Sequence, residues 1–184
     1  MFNKTILSEN FFIKGFISKD LKIDYFYLKN NVIKNYAYQE FRTKNKNSYK
    51  KNYLNLSYDK NITWIHQYVE DFFKLRQSQP IEIHTISGIF VLPNEYISLH
   101  NHINYYDLSD SPEISFLYVL DCGKKPVEIE FTHESIFEKE KKSFVNLDKN
   151  EYLVFNSNLN HAITKNNNDT PNLFISMTFR FPRG

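Results

Sequence analysis

The 184-residue chain predicts a mainly β fold: a two-sheet jelly roll of roughly eight short strands with helical support laid against one sheet. Three observations carry that expectation. From Ile81 onward almost every apolar run is strand-length and ends at a turn signal. Upstream, one segment between Asp59 and Pro80 repeats its apolar residues at helical spacing instead. Finally, a hydrophobic fraction of 41% and an aromatic fraction of 17% are ample for a packed core.

The elements follow in order. Residues 1–58 give the weakest pattern: FFIKGFI and IDYFYL are apolar enough for strands or a short helix, and FRTKNKNSYKKN (41–52) reads as a polar loop. Asp59 then caps a helix with Ile65, Val69, Phe72 and Phe73 on one stripe, widened by Trp64, Tyr68 and Leu75, and Pro80 marks its end. Strands follow at Ile81–Leu92, Tyr96–His100, Ile114–Leu120, Val127–Phe131, Phe144–Leu147, Tyr152–Phe155, Ala162–Thr164 and Leu173–Phe181. Pro93-Asn94 and Cys122-Gly123 supply turns between them, and the run KEKK at 139–142 reads as a solvated turn. A single domain over 1–184 is expected, with 1–80 as support and 81–181 as the jelly-roll core.

Composition narrows the function classes. A net charge of +2, with lysines scattered among acids, gives no footprint for nucleic acid. Lys14 and Lys19 interrupt the apolar start, so neither a signal peptide nor a membrane span is expected, and a soluble cytoplasmic protein is. Cys122 is the sole cysteine, which rules out an intramolecular disulfide and suits a reducing compartment.

The chemistry-bearing feature is His100-Asn101-His102 at a strand end, with His161 far downstream at the start of another strand. Alternate strand residues share a face, so His100 and His102 can look into one pocket, leaving Ile97 and Leu99 to the core. A third imidazole from a distant strand would complete a three-nitrogen metal site. Of the other histidines, His66 is expected on a solvated helix flank, His84 as an edge or packed residue and His133 in an exposed loop.

Several segments together resemble the double-stranded β-helix of Fe(II)/2-oxoglutarate oxygenases, in particular the bacterial and phage type, and more loosely the cupins. ISFLYVL (114–120) is similar to the family strand S-G-V-Y-Y-L, and NEYLVFNSNLNH (150–161) to G-D-L-V-L-F-P-S-x-L-x-H. FISMTFRF (174–181) is similar to R-I-S-I-S-F-N. The resemblance covers about residues 83–181. It implies a double-stranded β-helix, with Fe(II) held by His100, His102 and His161, and 2-oxoglutarate as cosubstrate.

It also implies that Tyr118, Ser176 and Arg180 face the cosubstrate, and that a small-molecule or side-chain substrate is hydroxylated. Two departures stand out. The family carboxylate two residues after the first histidine is replaced by His102, for which Asp107 is the alternative. The arginine that binds the far carboxylate of 2-oxoglutarate is replaced by Phe174 on motif alignment, or by Asn172 on simple spacing, leaving Arg180, Lys165 and Lys124 as candidate cations. A cupin-like metalloenzyme without an oxo acid, and a non-catalytic jelly-roll module with incidental histidines, are the alternatives.

Overall fold

The computed structural model describes residues 3–7, 10–17, 21, 23–42, 53–77, 80–134 and 140–182, so most of the expected 41–52 loop lies outside the described residues. Eight antiparallel strands form the core: β4 (Glu82–Val91), β5 (Ile97–His100), β6 (Ile114–Asp121), β7 (Val127–His133), β8 (Lys141–Leu147), β9 (Glu151–Asn156), β10 (Asn160–Ile163) and β11 (Asn172–Arg180). The chain crosses repeatedly between a sheet containing β9-β6-β11-β4 and a sheet ordered β5-β10-β7-β8, which is the jelly-roll winding the sequence predicts.

Asn94 and Asn150 take the two turns at positive φ (67° and 70°), a conformation that asparagine tolerates better than most residues. Asn150 stands where the resembling motif has glycine, so the turn geometry is kept with a different residue.

The first 58 residues extend the larger sheet at both edges. Strands β1 (Asn3–Leu7) and β2 (Asn10–Phe16) add beside β9, and β3 (Tyr53–Asn55) pairs with β4. Segment FFIKGFI is therefore a strand, whereas most of IDYFYL enters helix α1 (Tyr25–Arg42). Leu28 and Val32 are buried on α1, and Tyr36 stacks on Phe90 at 4.1 Å, a narrow i, i+4, i+8 stripe. Gly88 on β4 lets that stripe approach, since a Cβ there would sit 2.9 Å from Val32 Cγ2. Phe26 and Phe41 point outward and are about three-quarters exposed, which hides the helical period from the sequence.

Helix α2 (Lys60–Gln77) buries Ile65, Val69, Phe72 and Phe73, the stripe read from the sequence. Each such side chain removed from water contributes roughly 1.5–3 kcal/mol. Trp64 does not join them; it is 38% exposed on the flank. Both helices cover one face of the larger sheet, packing on Phe116, Tyr118, Tyr152, Ile175, Met177 and Phe179. A second apolar cluster fills the space between the sheets, with Leu117, Val119, Phe155 and Phe174 meeting Ile97, Ile129, Phe131 and Leu147. Alternation along β6 and β11 thus sends odd and even residues to different cores. No helix among the described residues is long and apolar enough to cross a membrane.

Asp59 Oδ1 accepts from the amides of Asn61 (2.8 Å) and Ile62 (3.0 Å), so the cap of α2 is formed as expected. Replacing Asp59 by Ala should cost about 1 kcal/mol in denaturant unfolding, with the slope of the transition unchanged.

Candidate metal centre

His161 and His100 are directly opposed residues of the antiparallel pair β10–β5. Two positions further, Ile163 pairs with Ile97, so β5 spends one more residue than β10 over the same span. That bulge lets both Ile97 and His100 face the space between the sheets, and it turns Leu99 outward to 46% exposure. Leu99, which strand alternation would give to the core, is therefore on the surface. His102 lies just past the strand, where its backbone N–H donates to Ser157 O at 3.0 Å and holds the segment against the β9–β10 turn.

The three imidazoles converge. Ring centroids lie 4.4 Å apart for His100–His161, 5.0 Å for His102–His161 and 5.3 Å for His100–His102. One nitrogen from each lies within 4.8 Å of the other two, a spacing that small ring rotations close onto a cation with bonds of about 2.1 Å. Two tautomers are fixed by carbonyl acceptors: His100 Nδ1 donates to Ser98 O at 2.8 Å, and His161 Nδ1 donates to Leu159 O at 3.0 Å. Each Nε2 therefore carries the lone pair that a metal needs, with the opposite nitrogen held by backbone. The donor set fits a divalent ion that accepts imidazole, iron included.

Burial keeps these rings neutral. His161 is 4% exposed, wedged beside Phe155 with centroids 4.7 Å apart, and desolvation holds its pKa well below the usual value, with His100 and His102 adding repulsion. The same desolvation, followed by the charge of His100, lowers His102 to about 4. Desolvation lowers His100 as well, against the opposing pull of its hydrogen bond to Ser98.

The remaining candidates are placed elsewhere. Asp107 is spent on the loop itself: Oδ1 accepts from Ser109 N at 2.9 Å and caps the short 3-10 turn Leu108–Asp110. It is not part of the histidine cluster. Tyr118 lies in the helix-facing core and donates to Asn150 Oδ1 at 3.0 Å, with burial raising its pKa. Its ring is on the opposite face of β6 from the histidines, so it does not line their pocket. Arg180 ends β11 with Nε 3.5 Å from Glu82 Oε2, in a half-exposed cross-strand pair at the strand terminus.

Lys165 is exposed, and Lys124 lines a cleft of about 800 Å³ with Asp121 and Asn168 around the β6–β7 turn, at the end of the roll away from the histidines. Ser176 shares the inner face of β11 with Phe174, and Arg180 has the same parity at the end of the strand. Phe174 is fully buried among aliphatic and aromatic neighbours, and Asn172 is buried within hydrogen-bond reach of Asn168. Of the two positions that match the family arginine, one is thus apolar and the other carries a neutral amide. Among the described residues no lysine or arginine replaces the missing cation there, so the metal fits this site and the usual 2-oxoglutarate anchor does not.

Two histidine expectations change, those of His66 and His133, while His84 is packed as expected. His66 is half-buried, with its ring 5.9 Å from Phe179 and Nδ1 3.2 Å from Tyr58 OH. His133 ends β7, is 9% exposed, and reaches Ser143 Oγ through Nε2 at 3.3 Å. His84 lies at an irregularity between β4 and β11, contacting Thr178 Oγ1 and Asp110 Oδ1, each at 3.3 Å. The sequence also gave no sign of the buried Ser115–Ser157 hydroxyl pair (2.8 Å), which ties β6 to the turn that receives the His102 amide. Serines carry no periodic signal, so only the fold reveals it.

No protein-family model matches the chain, and no curated protein matches it. Solved structures do. A prolyl-4-hydroxylase from Pseudomonas putida aligns at a TM-score of 0.60 and 11% identity, over 94% of this chain and 93% of that one. AviO1 from Streptomyces viridochromogenes aligns at 0.61 and 13% identity, covering 94% and 90%. The viral collagen prolyl hydroxylase of Paramecium bursaria Chlorella virus-1, solved with 2-oxoglutarate, aligns at 0.52 and 10% identity, covering 69% and 75%. At these identities the likeness shows the fold alone, a double-stranded β-helix.

Replacing His161 by Ala should abolish tight Mn(II) or Ni(II) binding in calorimetry, whereas His133→Ala should leave it intact; equal losses would point to the wrong cluster. The metal-free protein should also be acid-sensitive. Its buried imidazoles resist protons that the unfolded chain takes up below about pH 6.5. Stability is therefore full above that pH and falls on acidification toward pH 4, and His161→Gln should flatten the fall in a series of thermal melts.

Proposed function

We propose that the protein is a non-haem, metal-dependent oxygenase of the double-stranded β-helix type, holding Fe(II) through His100, His102 and His161 and using a 2-oxo acid to hydroxylate a small molecule or an amino-acid side chain. The observation that carries the reading is the meeting of three imidazole nitrogens within 4.8 Å at one end of the roll. Bound iron would supply oxygen activation at open coordination positions.

The chain's own residues have distinct tasks in this reading. His100 and His161 present Nε2 because Ser98 O and Leu159 O hold their Nδ1 protons. Phe155 and Phe131, with centroids 4.7 and 6.3 Å from the His161 ring, keep water from the back of the site. The loop 101–111 borders the centre. It is ordered by Asn104, whose backbone N–H donates to Ser111 Oγ and whose Oδ1 accepts from Tyr106 N, and by the Asp107 cap. Tyr105, Tyr106 and Leu108 stand exposed on it, beside the site and free to meet a substrate.

A cupin-like enzyme acting without an oxo acid is the second reading, favoured by the all-imidazole donor set and by Phe174. Oxygen uptake separates the two. Protein loaded anaerobically with Fe(II) should consume oxygen and release carbon dioxide when a 2-oxo acid is added, and His161→Ala should reduce both to background. Metal-bound protein that shows neither with a panel of oxo acids would favour the second reading.

A further inference from the structure

The geometry points to a second ligand site at the end of the roll away from the histidines: a cleft that takes a small amphipathic anion, an apolar body carrying one carboxylate or phosphate group. This goes beyond the oxygenase reading and does not depend on it.

The cleft encloses about 800 Å³, a volume that holds a drug-sized molecule. Helix α1 forms one side, and the β6–β7 turn with the loop leading into β11 forms the other. Asn168 sets its shape. The side-chain oxygen of Asn168 accepts from Lys125 N at 2.8 Å, and its amide nitrogen donates to Lys125 O at 3.0 Å, so turn and loop are clasped by two bonds. Gly123 permits the approach, because a Cβ there would lie 2.5 Å from Asn168 Oδ1. The frame stands before any ligand arrives, which spares part of the ordering cost of binding.

Two properties of the lining select the ligand. One is apolar surface left open to solvent. Ile33 is 38% exposed and Pro171 is half-buried, over a floor of Phe90 and Leu173. Covering such surface with an apolar body is favourable in proportion to the area removed from water.

The other property is charge. Lys29, Lys124 and Lys125 border the cleft against Asp121 and Asp169. Asp121 is already engaged twice, by Lys29 at one oxygen and by Lys149 Nζ at the other, 3.0 Å away. Two ammoniums on one carboxylate leave positive charge in excess. Lys124 and Lys125 are exposed at the rim, on a backbone that Asn168 holds still, so their ammoniums can swing onto an anionic head group. A cation of the same shape meets repulsion there, and an anion without a tail leaves the apolar floor wet.

The test uses the full chain and four probes below any micelle-forming concentration: octanoate, octyl phosphate, octyltrimethylammonium and inorganic phosphate. Binding is read by calorimetry and by the rate at which iodoacetamide alkylates Cys122. That residue is the sole thiol of the chain and lines the cleft, so slower alkylation reports that the cleft itself is filled. One or both octyl anions should bind and protect Cys122, with octyltrimethylammonium and inorganic phosphate at least about tenfold weaker; the tighter of the two anions names the head group. Lys124→Glu with Lys125→Glu should weaken the octyl anions about tenfold or more, whereas Lys60→Glu with Lys141→Glu, an equal change in net charge at exposed sites elsewhere, should not. Equal binding of the octyl cation, binding that leaves Cys122 alkylation unchanged, equal losses in the two double variants, or no binding of either octyl anion overturns the inference. The probe ranking on the unaltered protein decides the matter even if a variant does not fold.

Discussion

The cross-strand pair His100–His161 is the constraint on which the site depends. Directly opposed residues in an antiparallel ladder are the closest neighbours that two distant parts of a chain can become, and 61 positions of sequence separate these two. The ladder alone would place the two rings side by side without setting their direction. The bulge in β5 and the two backbone carbonyls at Ser98 and Leu159 aim them, and the Ser157 carbonyl brings His102 to the same point. Register, bulge and tautomer together make three side chains into one donor set.

Desolvation gives that set its character. An imidazole held neutral by burial keeps a lone pair available for coordination and is reluctant to take a proton below neutral pH. The same burial raises the cost of leaving a divalent charge without an anionic partner. The space between the sheets around Phe174 is filled by close-packed apolar side chains.

Much of this was legible in the sequence because the relevant signals are local. The strands from β4 to β11 were bounded by turn residues, the α2 stripe repeated at helical spacing, and the His-x-His pair ended a strand-like run. Other features were not legible, for reasons that can be named. Helix α1 exposes Phe26 and Phe41, so its apolar residues do not follow one face. The bulge in β5 is a property of the pairing with β10, invisible in either strand alone, and it overturned the assignment of Leu99 to the core. Tyr118 sits at a position the motif matched, but strand alternation sends its ring to the helices. Asp107 had the right spacing for a ligand and the right chemistry for a cap, and the cap prevailed.

Coordination by three ring nitrogens is the claim most directly open to measurement. X-ray absorption on protein reconstituted with a single equivalent of Fe(II) or Ni(II) under anaerobic conditions reads the neighbours of the ion without any substrate. Three imidazole nitrogens at about 2.1 Å are expected, with the remaining positions filled by oxygen donors from solvent. A spectrum showing one imidazole or none, or an ion dispersed over surface carboxylates, would contradict it.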